Sequence, residues 1–171
     1  HPDDIFQERL YCIQWMHPKN KGNGSDYEFR TVTSEDLNRE KIVDDFIASH
    51  ISEWQDKGWL PDMRIESGYN TDQPIRERGW TYWHHLFNPR QLFQNGLFAE
   101  TSDALHSDNN SLVIGILGLN RVADFNSKLC RWHSRNTQIA QTFYNQALNT
   151  LDNYACKGIS AQYIIWIIEL Q

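Results

Sequence analysis

Only three cysteines occur among the 171 residues, Cys12, Cys130 and Cys156. They are odd in number and far apart, so a disulfide framework is excluded as the source of stability, and a reducing cytoplasm is the expected compartment. Long hydrophobic runs are missing too. The longest, residues 112–119 and 163–168, fall well short of the roughly 20 residues a membrane-spanning helix needs. A soluble chain with no membrane partner is expected, and no basic start leading into an apolar stretch marks a secretory leader. Positive charge is in deficit. Sixteen Lys and Arg face 22 Asp and Glu, for a net charge of −6. That excludes a domain that wraps nucleic acid over its whole surface, because such domains are strongly basic. Internal repeats and low-complexity tracts are absent.

The common chemical signatures are absent as well. The chain has no Gly-x-Ser-x-Gly nucleophile turn, no Walker-type phosphate loop and no Gly-rich turn between a strand and a helix. Gly22-Asn23-Gly24-Ser25 lies in polar surroundings and reads as a hairpin loop. A structural zinc site needs four ligands, mostly thiolates in close pairs, and no Cys-x-x-Cys exists. Cys130 and His133 have Cys-x-x-His spacing, and His84 adjoins His85. Adjacent histidines on a helix point about 100° apart and rarely share an ion, so no metal is expected.

What is present is an ordinary globular composition, 40% hydrophobic and 22% charged, which excludes disorder as the main state. The 171 residues suit a single domain. Residues 8–16 are apolar on both parities and read as a strand covered on both faces. Residues 27–32 read as its hairpin partner. Thr33 or Ser34 caps a helix whose apolar stripe is Ile42, Val43, Phe46, Ile47, Ile51 and Trp54, and Gly58 ends it. Residues 59–79 have no clear period. A short helical stretch at 81–87 follows. Asn88-Pro89 then starts a helix that runs to about Leu105. Ser111 is expected to cap the next helix, which reaches about Phe125 and is apolar almost all round. That pattern marks it as the central buried helix, with Gly115 and Gly118 permitting close approach of a neighbour. A further helix is expected over residues 137–156, and residues 161–170 are open between strand and helix. The fold class is α+β, predominantly α-helical, with a small N-terminal β-hairpin packed on a helical core.

Charge is unevenly placed along this frame. Residues 1–58 hold 7 basic and 12 acidic side chains, whereas residues 121–135 set Arg121, Lys128, Arg131 and Arg135 against Asp124 alone. The densest constellation lies at residues 76–91, where Arg76, Arg78 and Arg90 interleave with Trp80, Tyr82, Trp83, His84 and His85. Arginine takes phosphates or guanine edges, and rings stack on unpaired bases. The candidate nucleic-acid contacts are therefore Arg76, Arg78, Trp80, Tyr82, His84, Arg90, Arg121 and Arg131. The competing interpretation makes the rings core and pairs the arginines with Glu66, Asp72 and Glu77.

The same stretch carries a resemblance. Gly58-Trp59-Leu60-Pro61 and Gly79-Trp80-Thr81-Tyr82-Trp83-His84-His85-Leu86-Phe87-Asn88-Pro89-Arg90-Gln91-Leu92 resemble a signature of the adenine-specific DNA methylases that contain a zinc ribbon and an N-terminal domain of unknown function. Leu129-Cys130-Arg131-Trp132 and residues 141–148 resemble later stretches of that family, so the similarity spans about residues 10–158. The resemblance implies a parent protein that moves a methyl group from S-adenosylmethionine to the exocyclic amine of adenine. That chemistry needs a Gly-rich cofactor loop and an Asp/Asn-Pro-Pro-aromatic motif that accepts from the amine of the flipped base. Neither motif is in this chain. Asn88-Pro89-Arg90-Gln91, the nearest string, reads as a helix start. The zinc-ribbon cysteine pairs are absent too. The chain is therefore expected to be an internal fragment of a larger methyltransferase-like protein, with no catalytic, cofactor or metal residues of its own. Its expected partners are DNA, bound weakly, and the catalytic core of the same parent chain. The alternative is a structural or protein-interaction insert with no nucleic-acid contact, and a third possibility is an independent enzyme of another type.

Overall fold

A computed structural model describes residues 10, 12–18, 25–105, 107–135 and 138–144. The fold is α+β and mostly helical, with a small N-terminal hairpin. The chain divides into two compact units, His1–Val43 and Asp44–Gln171.

In the first unit, β1 (Cys12–Pro18) pairs antiparallel with β2 (Ser25–Thr31), in a register that sets Gln14 opposite Phe29 and Trp15 opposite Glu28. Residues directly opposite share a face, so Trp15 and Phe29 lie on different faces. Both are exposed. The expectation of a strand covered on both faces is thus corrected: each face of the two-stranded sheet carries an exposed ring among the described residues. The Arg30 guanidinium covers the Trp15 ring instead, at 5.7 Å from its centroid.

Helix α1 (Ser34–Asp56) begins in this unit. Thr33 caps it by a reciprocal pair of bonds. Its Oγ1 accepts from the Asp36 amide at 3.2 Å, and Asp36 Oδ2 accepts from the Thr33 amide at 3.0 Å. The helix ends at Gly58, whose φ of 74° lies in the left-handed region that favours glycine.

The core of the second unit is built from the latter half of α1 and from α3 (Pro89–Leu105). Ile47, Trp54, Leu60 and Leu92 are its buried centre, and Phe46, Ile51, Trp59, Phe87, Phe93 and Leu97 pack around them. The apolar stripe of α1 therefore enters the core at Phe46; Ile42 is exposed. Gly96 of α3 is buried where Trp54 crosses it, and a Cβ there would lie 2.1 Å from Trp54 Cζ3.

The stretch without a period holds a short helix, α2 (Asp72–Arg78). Seven residues are too few for a hydrophobic period to emerge, so its origin is polar. Asp72 Oδ1 accepts from the Gly68 amide at 3.0 Å and from the Ser67 hydroxyl. Gly79, at φ 67°, ends it. A 3₁₀ turn follows at Trp83–Leu86.

Helix α4 (Asn109–Asp124) differs most from expectation. Its cap is Asp108, whose carboxylate accepts from the Ser111 amide at 2.8 Å, and Ser111 Oγ accepts in return from the Asp108 amide at 3.2 Å. Only Gly118 and Val122 are fully buried. Val113, Ile114, Ile116 and Leu117 expose between 51% and 60% of their surface. α4 packs on α3 through its glycine side, as the close-approach reading expected. A Cβ on Gly118 would meet the Phe98 ring at 2.7 Å, and one on Gly115 would meet Ser102 Cβ at 3.1 Å. Among the described residues α4 is thus a one-sided helix, and α3 is the more buried. Apolar residues all round α4 do not by themselves supply neighbours on every side.

Residues 137–156 were expected to be a helix. Instead β4 (Gln138–Ile139) pairs antiparallel with β3 (Trp132–His133). The rest of that expected helix beyond residue 144, and residues 161–170, lie outside the described residues. No described helix is long and apolar enough to cross a membrane.

Candidate nucleic-acid interface

The segment before α3 is held by long-range backbone pairs. Arg64 and Tyr82 form an isolated antiparallel bridge, with the Ile65 amide donating to Thr81 O at 2.9 Å and the Trp83 amide to Met63 O at 3.1 Å. Ile65 is buried and anchors this return, while Arg64 faces outward. Its guanidinium lies 5.5 Å from the centroid of the Tyr82 ring. Tyr82 stacks on His84 at 5.4 Å, and His84 meets His85 edge to face at 4.5 Å. The Lys128 ammonium lies 5.5 Å from the centroid of the Trp80 ring. It is brought there by its own backbone, whose amide donates to Leu86 O at 2.8 Å. Two cations from distant parts of the chain thus rest on rings of the arginine–aromatic stretch. Each such contact contributes roughly 0.5–1 kcal/mol at an exposed site.

The Nδ1 of each histidine faces an N–H donor. Gln55 Nε2 donates to Pro61 O at 2.9 Å and to His84 Nδ1 at 3.2 Å. The Thr81 amide donates to His85 Nδ1 at 3.1 Å. Desolvation pushes both imidazoles below the ordinary value. At His84 a hydrogen bond to the Pro61 backbone opposes this and the Lys128 charge adds to it; at His85 the His84 ring and the Lys128 charge both add to it.

Beneath this surface lies a layer of buried amides. Asn88 and Gln91 form a reciprocal cap at the start of α3: the Gln91 amide donates to Asn88 Oδ1 at 2.8 Å, and the Asn88 amide to Gln91 Oε1 at 2.9 Å. Gln91, Gln94, Asn95, Asn126 and Ser127 are all buried. Asn126 Nδ2 donates to Asn95 Oδ1 at 3.1 Å, tying the turn after α4 to α3. Gln91 Nε2 is buried with no hydrogen-bond partner among the described residues. The Cys130 thiol is buried against hydroxyls, with Thr142 Oγ1 at 3.3 Å and Ser127 Oγ at 3.8 Å. Among the described residues no three His, Cys, Asp or Glu side chains are grouped to hold a metal ion.

The sequence candidates divide by environment. Trp80, Tyr82 and His84 belong to the ring cluster, half-buried. Arg76 and Arg78 sit on α2, on a helix where an irregular loop was expected. Arg76 is exposed and pairs with Glu77 at 3.1 Å. Arg90 is half-buried in the first turn of α3. Arg121 pairs with Asp124 at 3.7 Å and lies over the Phe125 ring at 4.3 Å. Arg131 lies 3.7 Å from the centroid of the Tyr144 ring, with its Nε buried and unpartnered among the described residues. Arg64 and Gln55 were not singled out by sequence reasoning. Each joins the cluster through a contact remote in the chain, for which no local pattern exists. The Gln91 side of the cap was legible, since Asn-x-x-Gln is the spacing of a reciprocal cap. No protein-family model, no curated protein and no solved structure matches this chain.

Proposed function

We propose that this domain is an accessory or target-recognition segment of an S-adenosylmethionine-dependent DNA adenine methyltransferase. It supplies neither the catalytic motif nor the cofactor loop, and it works in the cytoplasm beside the catalytic core of its parent chain. One observation carries the reading: the stretches that bear the methylase resemblance meet in one place. Pro61 O accepts from Gln55, which also donates to His84; Leu86 O accepts from the Lys128 amide next to Leu129-Cys130-Arg131-Trp132. There the cations of Arg64 and Lys128 lie on the rings of Tyr82 and Trp80. Cations beside half-exposed rings suit a phosphate backbone next to an unstacked base.

The test is retardation of a DNA duplex at low salt. The wild-type chain is expected to bind weakly. Replacing Arg76 and Arg78 together by Ala is expected to weaken retardation and leave the melting temperature nearly unchanged. A double variant that unfolds would make these arginines structural ion-pair partners.

The second reading, a structural or interaction insert with no nucleic-acid contact, is favoured by the carboxylate partners of Arg76 and Arg121. Absence of any retardation by the wild-type chain selects it.

A further inference from the structure

We propose that the stretch around β3 and β4 carries a stacking platform for unpaired bases of single-stranded DNA, formed by Trp132, Phe143 and Tyr144 with the Arg131 guanidinium behind the last ring. Trp132, Phe143 and Tyr144 are 40%, 76% and 64% exposed, whereas Trp80, Tyr82 and His84 of the ring cluster are half-buried. The contact of Arg131 with Tyr144 brings the two stretches together, since Trp132 follows Arg131 and Phe143 precedes Tyr144. Large rings gain most by leaving water, so several left exposed in one region mark a place that a ligand covers. The backbone beneath them is anchored. The Thr142 amide donates to Asp124 O at 2.6 Å and the Phe143 amide to Asp124 Oδ1 at 2.9 Å, which fastens this stretch to the end of α4. Thr142 Oγ1 lies 2.7 Å from Ser127 Oγ and 3.3 Å from the buried Cys130 thiol, and the Ala140 amide donates to Arg131 O at 2.8 Å. Rings presented on a fixed backbone lose little freedom when a ligand arrives.

Charge points to the class of ligand. Residues 121–144 carry four cations, Arg121, Lys128, Arg131 and Arg135, and one carboxylate, Asp124, in a chain whose net charge is −6. Asp124 is already engaged by Arg121 at 3.7 Å and by the Phe143 amide. Arg131 has no carboxylate partner among the described residues, and its Nε is buried without a hydrogen-bond partner there. A partly buried cation without a counter-charge is costly, and a phosphate supplies one. The Arg131 guanidinium lies 3.7 Å from the Tyr144 centroid, on one face of that ring. A ring with a cation on one face and most of its surface open offers the other face to a base. In a duplex the bases stack on each other and show only their edges, so a flat platform selects unpaired ones. The inference rests on the reading above only in taking DNA as the ligand; it adds the strandedness of the target and a second place of contact.

The test is fluorescence anisotropy of an end-labelled oligothymidine of about 15 nucleotides, with the full chain at low salt. The wild-type chain is expected to bind it more tightly than a duplex of the same length. Phe143→Leu with Tyr144→Leu, which keeps apolar bulk and removes the flat faces, is expected to weaken binding at least tenfold, and Tyr144→Phe to leave it within about twofold. No binding by the wild-type chain overturns the proposal, and so does an unchanged affinity of the double Leu variant. Displacement of the oligonucleotide by polyglutamate at equal charge overturns it too, since an acidic peptide would then be the ligand. Should the double variant lose its fold, a photocrosslink on the wild-type chain decides. An oligothymidine carrying 5-iododeoxyuridine is expected to attach to Trp132, Phe143 or Tyr144, and attachment only elsewhere overturns the proposal. Duplex retardation without oligothymidine binding overturns this inference and leaves the target-recognition reading standing; the reverse result upholds the platform and removes duplex recognition.

Discussion

His84 and His85 show how single side chains set the behaviour of the candidate interface. Each Nδ1 accepts an N–H, from Gln55 and from Thr81, and protonation would abolish both bonds. Desolvation, reinforced by Lys128, holds both pKa values below the ordinary imidazole value of 6.5. The unfolded chain therefore binds more protons than the folded one once pH falls through that value. The stabilisation is complete above the unfolded value and is lost as pH drops toward the depressed folded values. The urea midpoint is expected to be lower at about pH 5.5 than at about pH 7.5. Substituting His84→Gln and His85→Asn, which keep an acceptor, should flatten that difference; an unchanged difference would assign it to carboxylates. At Gly96 a Cβ would overlap the Trp54 ring at 2.1 Å. Gly96→Ala is expected to cost about 1–3 kcal/mol by overpacking, read from denaturant unfolding. An unchanged midpoint would mean that Trp54 can turn aside.

At the scale of elements, caps matter more than apolar content. α3 starts where Asn88 and Gln91 exchange backbone bonds, with Pro89 at the first helical position. Asn88→Ala is expected to cost about 0.5–2 kcal/mol, and Asn88→Ser to recover most of it. Chemical denaturation of both variants checks this, and equal losses would show that the amide does more than cap. Since Asn88 holds a helix end, Asn88→Ser should also leave DNA retardation unchanged. α4 makes the complementary point. Its contact with α3 rests on Gly115 and Gly118, which let Ser102 and Phe98 approach, while Val113, Ile114, Ile116 and Leu117 are exposed.

At the scale of the whole molecule, a net charge of −6 means that most of the surface repels a polyanion. DNA binding must then be focused on a few cations, and counterion release supplies most of its free energy. Two or three phosphate contacts correspond to a slope of about −2 to −3 in log affinity against log salt, measurable by retardation across a salt series. The Arg76→Ala, Arg78→Ala variant should show a shallower slope. An unchanged slope would place the phosphate contacts elsewhere, with Arg64 and Lys128 the next to replace.

The sequence alone determined those features whose cause is local. The Thr33 start and Gly58 end of α1 and the Asn88-Pro89 start of α3 all depend on residues within four positions of the backbone they serve. Short-range geometry is the same in every context, so it can be read from spacing. Tertiary structure decided whatever depends on which partner arrives. It set Arg64 beside Tyr82 and Lys128 beside Trp80. It also turned α4 so that its glycines met α3. Periodicity reports that a face is apolar, but burial needs a second surface at contact distance, and that surface comes from residues far away in the chain.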